Sequence, residues 1–361
     1  MFMAVDAQQQ LVNALDADRQ GHYFCPGCST SVYLKRGSVV TPHFAHNSLT
    51  DCHVFSEGET AEHLRGKQQL AAWFAANGYT VKLEAALPTL HQRPDILVKR
   101  ASQPPIALEF QCSPLSLERL VERTQGYWQN GYRVLWLLGS PYQHHLKLHG
   151  KAIKFIQHYS QWGCYLLFWQ VQTATLRLVY QLLTVDTESL SYQERVFGLH
   201  QGTVDELLQF SPPLAVSPRS TNSVQQYYQQ LMLARLRQTP NFRELQTYCY
   251  QRGGTLAQLP AWVVSQRPQV PVLQRPYLVW YLHVFGCLLT WTGTISATEL
   301  TTLVWEQLQP LLTRHACIRH PGTLHRQLVA KLIALLAQQR VLIWQNNKWS
   351  LNRQQLCWQN G

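Results

Sequence analysis

The sequence predicts a mixed α/β protein in three parts: a small cysteine- and histidine-bearing module over residues 1–55, a sheet-and-helix core over 56–185, and a mainly helical region over 186–361. Three observations carry this expectation. Residues 62–138 read in the order helix, three strands, helix, strand. Ahead of them stands the spacing Cys-x2-Cys-x14-His-x2-His. Behind them, apolar residues recur mostly at helical intervals.

In the core, Glu62, Gly66, Gln69 and Trp73 recur at helical spacing, as do His63, Lys67, Leu70 and Phe74. Residues 79–87 alternate imperfectly and predict a first strand. Asp95 opens a second apolar run, Ile96-Leu97-Val98, and a third runs from Ile106 to Gln111. Residues 115–130 have helical spacing, with Leu117, Leu120, Val121 and Tyr127 on one broad face, and Gly131 stops the pattern. Residues 134–138 are wholly apolar and suit a buried strand.

Strand residues two apart share a face. Glu109 and Gln111 therefore point one way, Leu108 and Phe110 pack behind them, and Asp95 can join from the neighbouring strand. An unpaired charge in an apolar strand costs several kcal/mol, and a bound cation would offset that cost. Carboxylates, a backbone carbonyl and water are the hard ligands preferred by Mg2+, with Mn2+ a substitute. Such an ion polarises a phosphoryl oxygen and lowers the pKa of bound water. Pro94-Asp95, then Glu109-Phe110-Gln111, with Glu62 on a helix upstream, is the layout of PD-(D/E)xK nucleases, a restriction-endonuclease-like core. The expected catalytic set is Glu62, Asp95, Glu109 and Gln111, the three acids holding the metal. Gln111 stands where a lysine is usual; its amide can orient water but does not stabilise developing negative charge as a cation does. Lys67, one turn beyond His63, is a candidate to replace that lysine or to contact phosphate. Arg119, Arg123 and Tyr127 form one helical stripe. The Arg123-to-Tyr127 spacing resembles the polar-x-x-x-Tyr element of RecB-like nucleases. Arginine there would hold a phosphate, and tyrosine would stack on a base or close the pocket.

Cys25, Cys28, His43 and His46 have the spacing of a tetrahedral Zn2+ site, with Pro26-Gly27 supplying the turn. Val32-Tyr33-Leu34 and Val39-Val40 flank Lys35-Arg36-Gly37-Ser38 and read as a hairpin. Pro42 argues against a DNA-reading ββα finger, whose helix would carry both histidines, so a structural zinc is expected. Cys52-His53 lies close by and could supply a ligand instead.

Taken together, the chain resembles the CoiA competence-protein family. The resemblance rests on Cys25-Pro26-Gly27-Cys28, His43-Phe44-Ala45-His46, the run from Glu62 to Lys67, Arg93-Pro94-Asp95-Ile96, the run from Ala107 to Ser113, and Arg123 through Tyr127. It implies a cytoplasmic DNA-handling nuclease of natural transformation, in which incoming DNA is processed and recombined. The implied partners are DNA, single- or double-stranded, and recombination proteins. A non-catalytic DNA-binding or recombination-mediator protein that keeps the fold is the alternative, and Gln111 is the residue that favours it.

Charge agrees with a polyanionic partner. The net charge is +11. Residues 1–159 carry 15 basic and 12 acidic side chains, and residues 160–361 carry 16 and 8. No acid follows Glu306, whereas seven Arg and Lys do; of these Arg326, Lys331, Arg340 and Lys348 are expected to meet phosphate. The first residues lack the basic start and apolar core of a secretion signal. The longest apolar stretch, residues 277–289, holds His283 and is too short for a membrane span, so a buried helix is expected and no membrane insertion. Nine cysteines, mostly isolated, fit a reducing cytoplasm. Residues 165–171 and 176–182 predict a hairpin extending the core sheet, and 186–220, broken by Pro212-Pro213 and Ser217-Pro218, predict a linker. Residues 227–236 predict a helix. A final helix over 323–338, with a leucine row, precedes a hairpin over 341–351, a winged-helix-like end.

Overall fold

A computed structural model describes residues 1–26, 28–37, 41–46, 60–87, 90, 92–144, 146–187, 190–199, 202–213 and 224–359. Gly27, Ser38, Val39, Val40, Cys52, His53, Ser217 and Pro218 lie outside the described residues. The chain divides into two compact units. One comprises residues 1–181, 192–213 and 316–319; the other comprises 182–191, 214–315 and 320–361. The expected boundary at 185/186 is thus crossed, because 192–213 returns to the first unit.

The first unit opens with a five-stranded antiparallel sheet: β1 (Met3–Asp6), β2 (Leu11–Asn13), β3 (Tyr23–Phe24), β4 (Ser31–Lys35) and β5 (His43–His46), in the order β2-β1-β3-β4-β5. Its core is small and built from Met1, Ala4, Ala14, Ala17, Tyr23, Cys25, Val32 and Phe44. So few large side chains supply little hydrophobic stabilisation. The expected hairpin is present as β4 and β5, although its second strand begins at His43.

The core follows the expected order: helix α1 (Ala61–Ala76), strands β6 (Thr80–Leu83), β7 (Ile96–Lys99) and β8 (Ile106–Gln111), helix α2 (Leu117–Gln129) and strand β9 (Arg133–Leu138). β6, β7 and β8 are antiparallel neighbours, and β9 pairs parallel to β8. The crossover that a parallel pair requires is supplied by α2. Thr60 and Ser116 cap α1 and α2, each side-chain oxygen accepting from a backbone N–H three residues on. The sheet continues through β10 (Gln157–Tyr159), β11 (Gly163–Gln170), β12 (Thr175–Leu183) and β13 (Ser191–Gly198), in the order β13-β12-β11-β9-β8-β7-β6 with β10 beside β11. The predicted 165–182 hairpin is β11 and β12. The predicted linker is corrected over part of its length, since it contains β13 and helix α3 (Val204–Gln209). Thr203 and Glu206 form a capping box at the start of α3, a local signal present in the sequence.

Leu108 and Phe110 of β8 join Leu70, Trp73 and Phe74 of α1 in the principal core. α1 comes this close because Gly66 has no side chain: a Cβ there would lie 2.1 Å from the Phe110 ring. Gly66→Ala is therefore expected to overpack this contact and lower stability by about 1–3 kcal/mol, read from the denaturation midpoint.

The second unit is mainly helical: α4 (Val224–Leu236), α5 (Pro240–Tyr250), α6 (Tyr277–Thr290), α7 (Ala297–Leu308) and α8 (Pro321–Gln338). Strands β14 (Thr294–Ile295), β15 (Leu342–Gln345) and β16 (Lys348–Leu351) form a small sheet in the order β14-β16-β15. α6 is mostly buried, as expected of residues 277–289, and half-buried Asp186 accepts from the Tyr277 and Leu278 N–H groups at its start and from the Tyr227 hydroxyl. Among the described residues no helix is long and apolar enough to cross a membrane.

Candidate functional site

The acids of the core gather at the ends of β7, β8 and β9. The register Ile96↔Leu108, continued by one residue, sets Asp95 beside Glu109. Asp95 Oδ2 accepts from the Phe110 backbone N–H at 2.8 Å and lies 3.1 Å from His63 Nε2, while its Oδ1 is 3.9 Å from Lys67 Nζ. Burial opposes the charge of Asp95, but His63, Lys67 and Arg123 outweigh it and hold the carboxyl below the usual carboxylate range.

Glu109 is 1% exposed and faces α2. Arg123 donates to its Oε2 and Tyr127 OH to its Oε1, both at 2.5 Å. Burial pushes Glu109 up to about 7; Arg123 and Tyr127 pull the other way and the charge of Asp95 adds to the rise. Glu62, in the first turn of α1, reaches across to the end of β9, where Oε1 accepts from the Ser140 N–H at 2.7 Å and Oε2 from the Ser140 hydroxyl at 2.6 Å. The chain passes close by Glu62 at Gly139, where a Cβ would lie 2.9 Å from Glu62 Oε1 and 2.6 Å from Cys112 Sγ. Glu109 and Gln111 share one face of β8, with Leu108 and Phe110 in the core on the other. Gln111 is buried, and its Nε2 donates to the Ser113 carbonyl and hydroxyl.

Asp95 and Glu109 are thus neighbours on adjacent strands, Glu62 is held at Ser140, and each of the three acids has a different set of partners. Among the described residues, the one group of three or more candidate ligands with atoms in mutual reach is elsewhere: Cys25, Cys28 and His46, whose ligand atoms lie within 4.8 Å of one another. His46 Nδ1 is 3.1 Å from Thr30 Oγ1, which is 2.9 Å from Cys28 Sγ. That leaves His46 Nε2, buried and with no hydrogen-bond partner, as the atom for a metal. His43 does not join this group. Three residues before His46 on β5, it falls on the opposite face of the strand, and its Nδ1 lies 2.8 Å from the Thr41 carbonyl oxygen.

Several expected DNA contacts are placed otherwise. Tyr127 is 0% exposed with its hydroxyl on Glu109, so its ring has no face for a base. Arg123 is committed to Glu109 rather than to an incoming phosphate. Lys67 is also 0% exposed; its Nζ donates to Glu84 Oε1 at 2.6 Å and sits 5.2 Å from the Phe2 ring centroid, so it makes no surface contact with phosphate. Its approach to Asp95 does place a cation beside the acids. Arg119 is exposed and pairs with Glu122. Arg326, Lys331, Arg340 and Lys348 are all exposed in the second unit.

Sequence reasoning missed Glu84. It accepts from Lys67 and Arg93 and from the Phe2 and Met3 N–H groups, and so ties the first strand to α1. Only an acid directly after an alternating strand marked it. Ser140 was also missed, although the Gly139-Ser140 pair directly after an apolar strand was a usable signal.

Two separate stretches of the chain match one family. Residues 59–212 match the nuclease-like domain of competence protein CoiA, and residues 7–55 match its N-terminal domain. The chain belongs to the CoiA family. It is similar to the competence protein CoiA of Bacillus subtilis (strain 168), with 33% identity over 139 residues, 38% of this chain and 36% of that relative. The match thus spans about a third of the curated relative's length. No solved structure matches.

Proposed function

We propose that this chain is a metal-dependent deoxyribonuclease that processes DNA during natural transformation, using Glu62, Asp95 and Glu109 to hold Mg2+ or Mn2+. The observation that carries the reading is Glu109: a carboxyl buried in β8, beside a second carboxylate, with its pKa pushed up to about 7. A site that strains a carboxylate in this way favours a cation. The order of α1, β6–β8, α2 and β9 supports a PD-(D/E)xK-type core. The donor set is all hard oxygen and fits such an ion. When bound, the ion would activate water and polarise the phosphoryl group. His63 and the Phe110 N–H orient Asp95, Ser140 orients Glu62, and Arg123 with Tyr127 orient Glu109. Lys67 supplies the positive charge that Gln111 lacks, acting through Asp95 from within the protein. Cys25, Cys28 and His46 would hold a structural Zn2+, a donor set suited to that metal.

Two observations favour a non-catalytic DNA-binding or recombination-mediator role. Glu109 is already neutralised internally by Arg123, and Gln111 is turned to Ser113. The deciding experiment incubates the purified chain with labelled single- and double-stranded DNA, with Mg2+, with Mn2+ and with neither. Metal-dependent fragments are expected. No cleavage in any arm would select the non-catalytic reading.

A pH dependence follows from Glu109. Its folded pKa of about 7 lies above the ordinary 4.5, so the proton it retains stabilises the metal-free fold fully below about pH 4.5. That contribution is lost as pH rises through about 7. Added Mg2+ should therefore raise the melting temperature more at pH 8 than at pH 5. Equal rises at both would show that Glu109 does not meet the ion.

A further inference from the structure

The second unit ends in the order α6, β14, α7, α8, β15, β16, with the sheet ordered β14-β16-β15. A helix and short strand, two further helices, then a hairpin whose last strand pairs with the first strand is the topology of a winged helix-turn-helix. In that arrangement the third helix is the element that enters the major groove, and the hairpin is the wing.

We propose that α8 and the β15–β16 hairpin form a double-stranded DNA-binding surface, separate from the acids of the first unit. Three features support it. First, α8 spans about 27 Å, and its solvent face carries Thr323, Arg326, Gln327, Ala330, Lys331 and Ala334. These side chains are small, polar or basic, and none is acidic, so the helix can approach a duplex closely. Thr and Gln can bond base edges, and Ala can pack on a thymine methyl. Second, α8 and the hairpin carry no acid of their own, the nearest being Glu299 of α7, within electrostatic reach of Lys348. The acids of α7, Glu299 and Glu306, line a groove with Cys287 and Thr290 of α6. The groove on the α8 side, lined by Thr301, Trp305, Arg326, Ala330 and Trp349 among others, has no acid. Beyond Glu306 the chain contains no Asp or Glu at all. Third, the wing is short and presents an aromatic. Asn346 and Asn347 have φ of 49° and 59°, as a type I′ hairpin turn requires. Trp344 sits opposite Trp349 and is 48% exposed, beside Lys348 near the turn. Exposed aromatics and cations together suit sugar, phosphate and base contacts. The slot between Trp305 and Trp349 is apolar and could seat a protein side chain, but the absence of acid on this face favours a polyanion.

The test measures binding by the full chain to a fluorescently labelled duplex of about two helical turns, across a salt series, with Ca2+ in place of Mg2+ so that affinity is read without cleavage. It is independent of whether the acids of the first unit cut DNA. The paired variant Arg326→Ala with Lys331→Ala should reduce the slope of log affinity against log salt by about two. Affinity at physiological salt should fall on the order of tenfold. Both residues are exposed, so the fold should be kept, which the melting temperature checks. A control pair, Arg235→Ala with Arg237→Ala on and just beyond the exposed end of α4, removes the same charge and should leave the slope alone. Trp344→Ala should weaken binding without changing the slope. The proposal is overturned if the α8 pair binds like the parent chain, which would leave the apolar slot for a protein ligand. It is overturned equally if both pairs lower the slope alike, which would mean diffuse charge attraction.

Discussion

Glu109→Gln and Asp95→Asn are each expected to lower metal-dependent cleavage by at least about a hundredfold while leaving the chain folded. The choice of amides comes from the geometry. Arg123 and Tyr127 both donate to Glu109 within a buried site. Glu109→Ala would strip both donors of their acceptor, and removing one partner of a buried ion pair costs about 3–5 kcal/mol. Loss of activity in that variant would not separate chemistry from unfolding. Gln keeps a side-chain carbonyl for Arg123 or Tyr127, removes the charge, and takes away the group whose pKa is raised. At position 95, Asn can still accept from the Phe110 N–H. Both variants should retain wild-type DNA affinity, and Glu109→Gln should melt below the parent chain but above Glu109→Ala, because one of its two donors keeps an acceptor. The comparison is made at saturating DNA in Mg2+ and again in Mn2+. If both amides cut at the parent rate, the chemistry lies elsewhere and these acids are structural.

Much of this arrangement is legible in the sequence because the core is periodic. The run from Ile106 to Gln111 is a strand with the bounds read from it, and the sharing of a face by Glu109 and Gln111 follows from alternation alone. Helices α1 and α2 fall within two residues of their patterns, since Thr60 and Ser116 cap them. What stayed hidden depends on contacts distant in sequence. Nothing local shows that Tyr127 turns inward to Glu109, 18 residues earlier, rather than outward to a base. Nor does anything local show that Lys67 is sealed beneath Phe2 and Glu84. The pairing of His43 and His46 as ligands failed for a different reason. Their spacing suits a knuckle, but Pro42 leads into a strand, and residues three apart on a strand face opposite ways. The strand β13 and helix α3 were passed over because the neighbouring prolines dominated the reading of 186–220, although the capping box at Thr203 was present.

Cys28→Ser is expected to remove zinc from the chain and to loosen the N-terminal sheet while the core sheet holds. Purified parent protein, never exposed to chelator, should contain one zinc per chain by elemental analysis, and the variant should contain far less. The expectation rests on two facts. The N-terminal sheet has a core of small residues, four of its eight members being Ala or Cys, so burial alone stabilises it weakly. Metal binding at such a site is folding free energy, worth about 10–16 kcal/mol in isolated zinc-finger peptides. Cys28 and Thr30 are linked to His46 through one hydroxyl, so losing the thiolate also disturbs the histidine that would otherwise face the metal with Nε2. The damage should have a defined edge. Phe2 and Met3 are held by Glu84, which is held in turn by Lys67 and Arg93 of the core. Hydrogen exchange should therefore quicken most across β3, β4 and β5, less at β1, and not at β8 or β9. Because Lys67 lies between Phe2 and Asp95, cleavage should fall by a smaller factor than in the acid variants. Unchanged exchange in β3 to β5, or a parent protein free of zinc, would mean that Cys25, Cys28 and His46 meet without a metal and that the sheet is stabilised by its attachment to Glu84 alone.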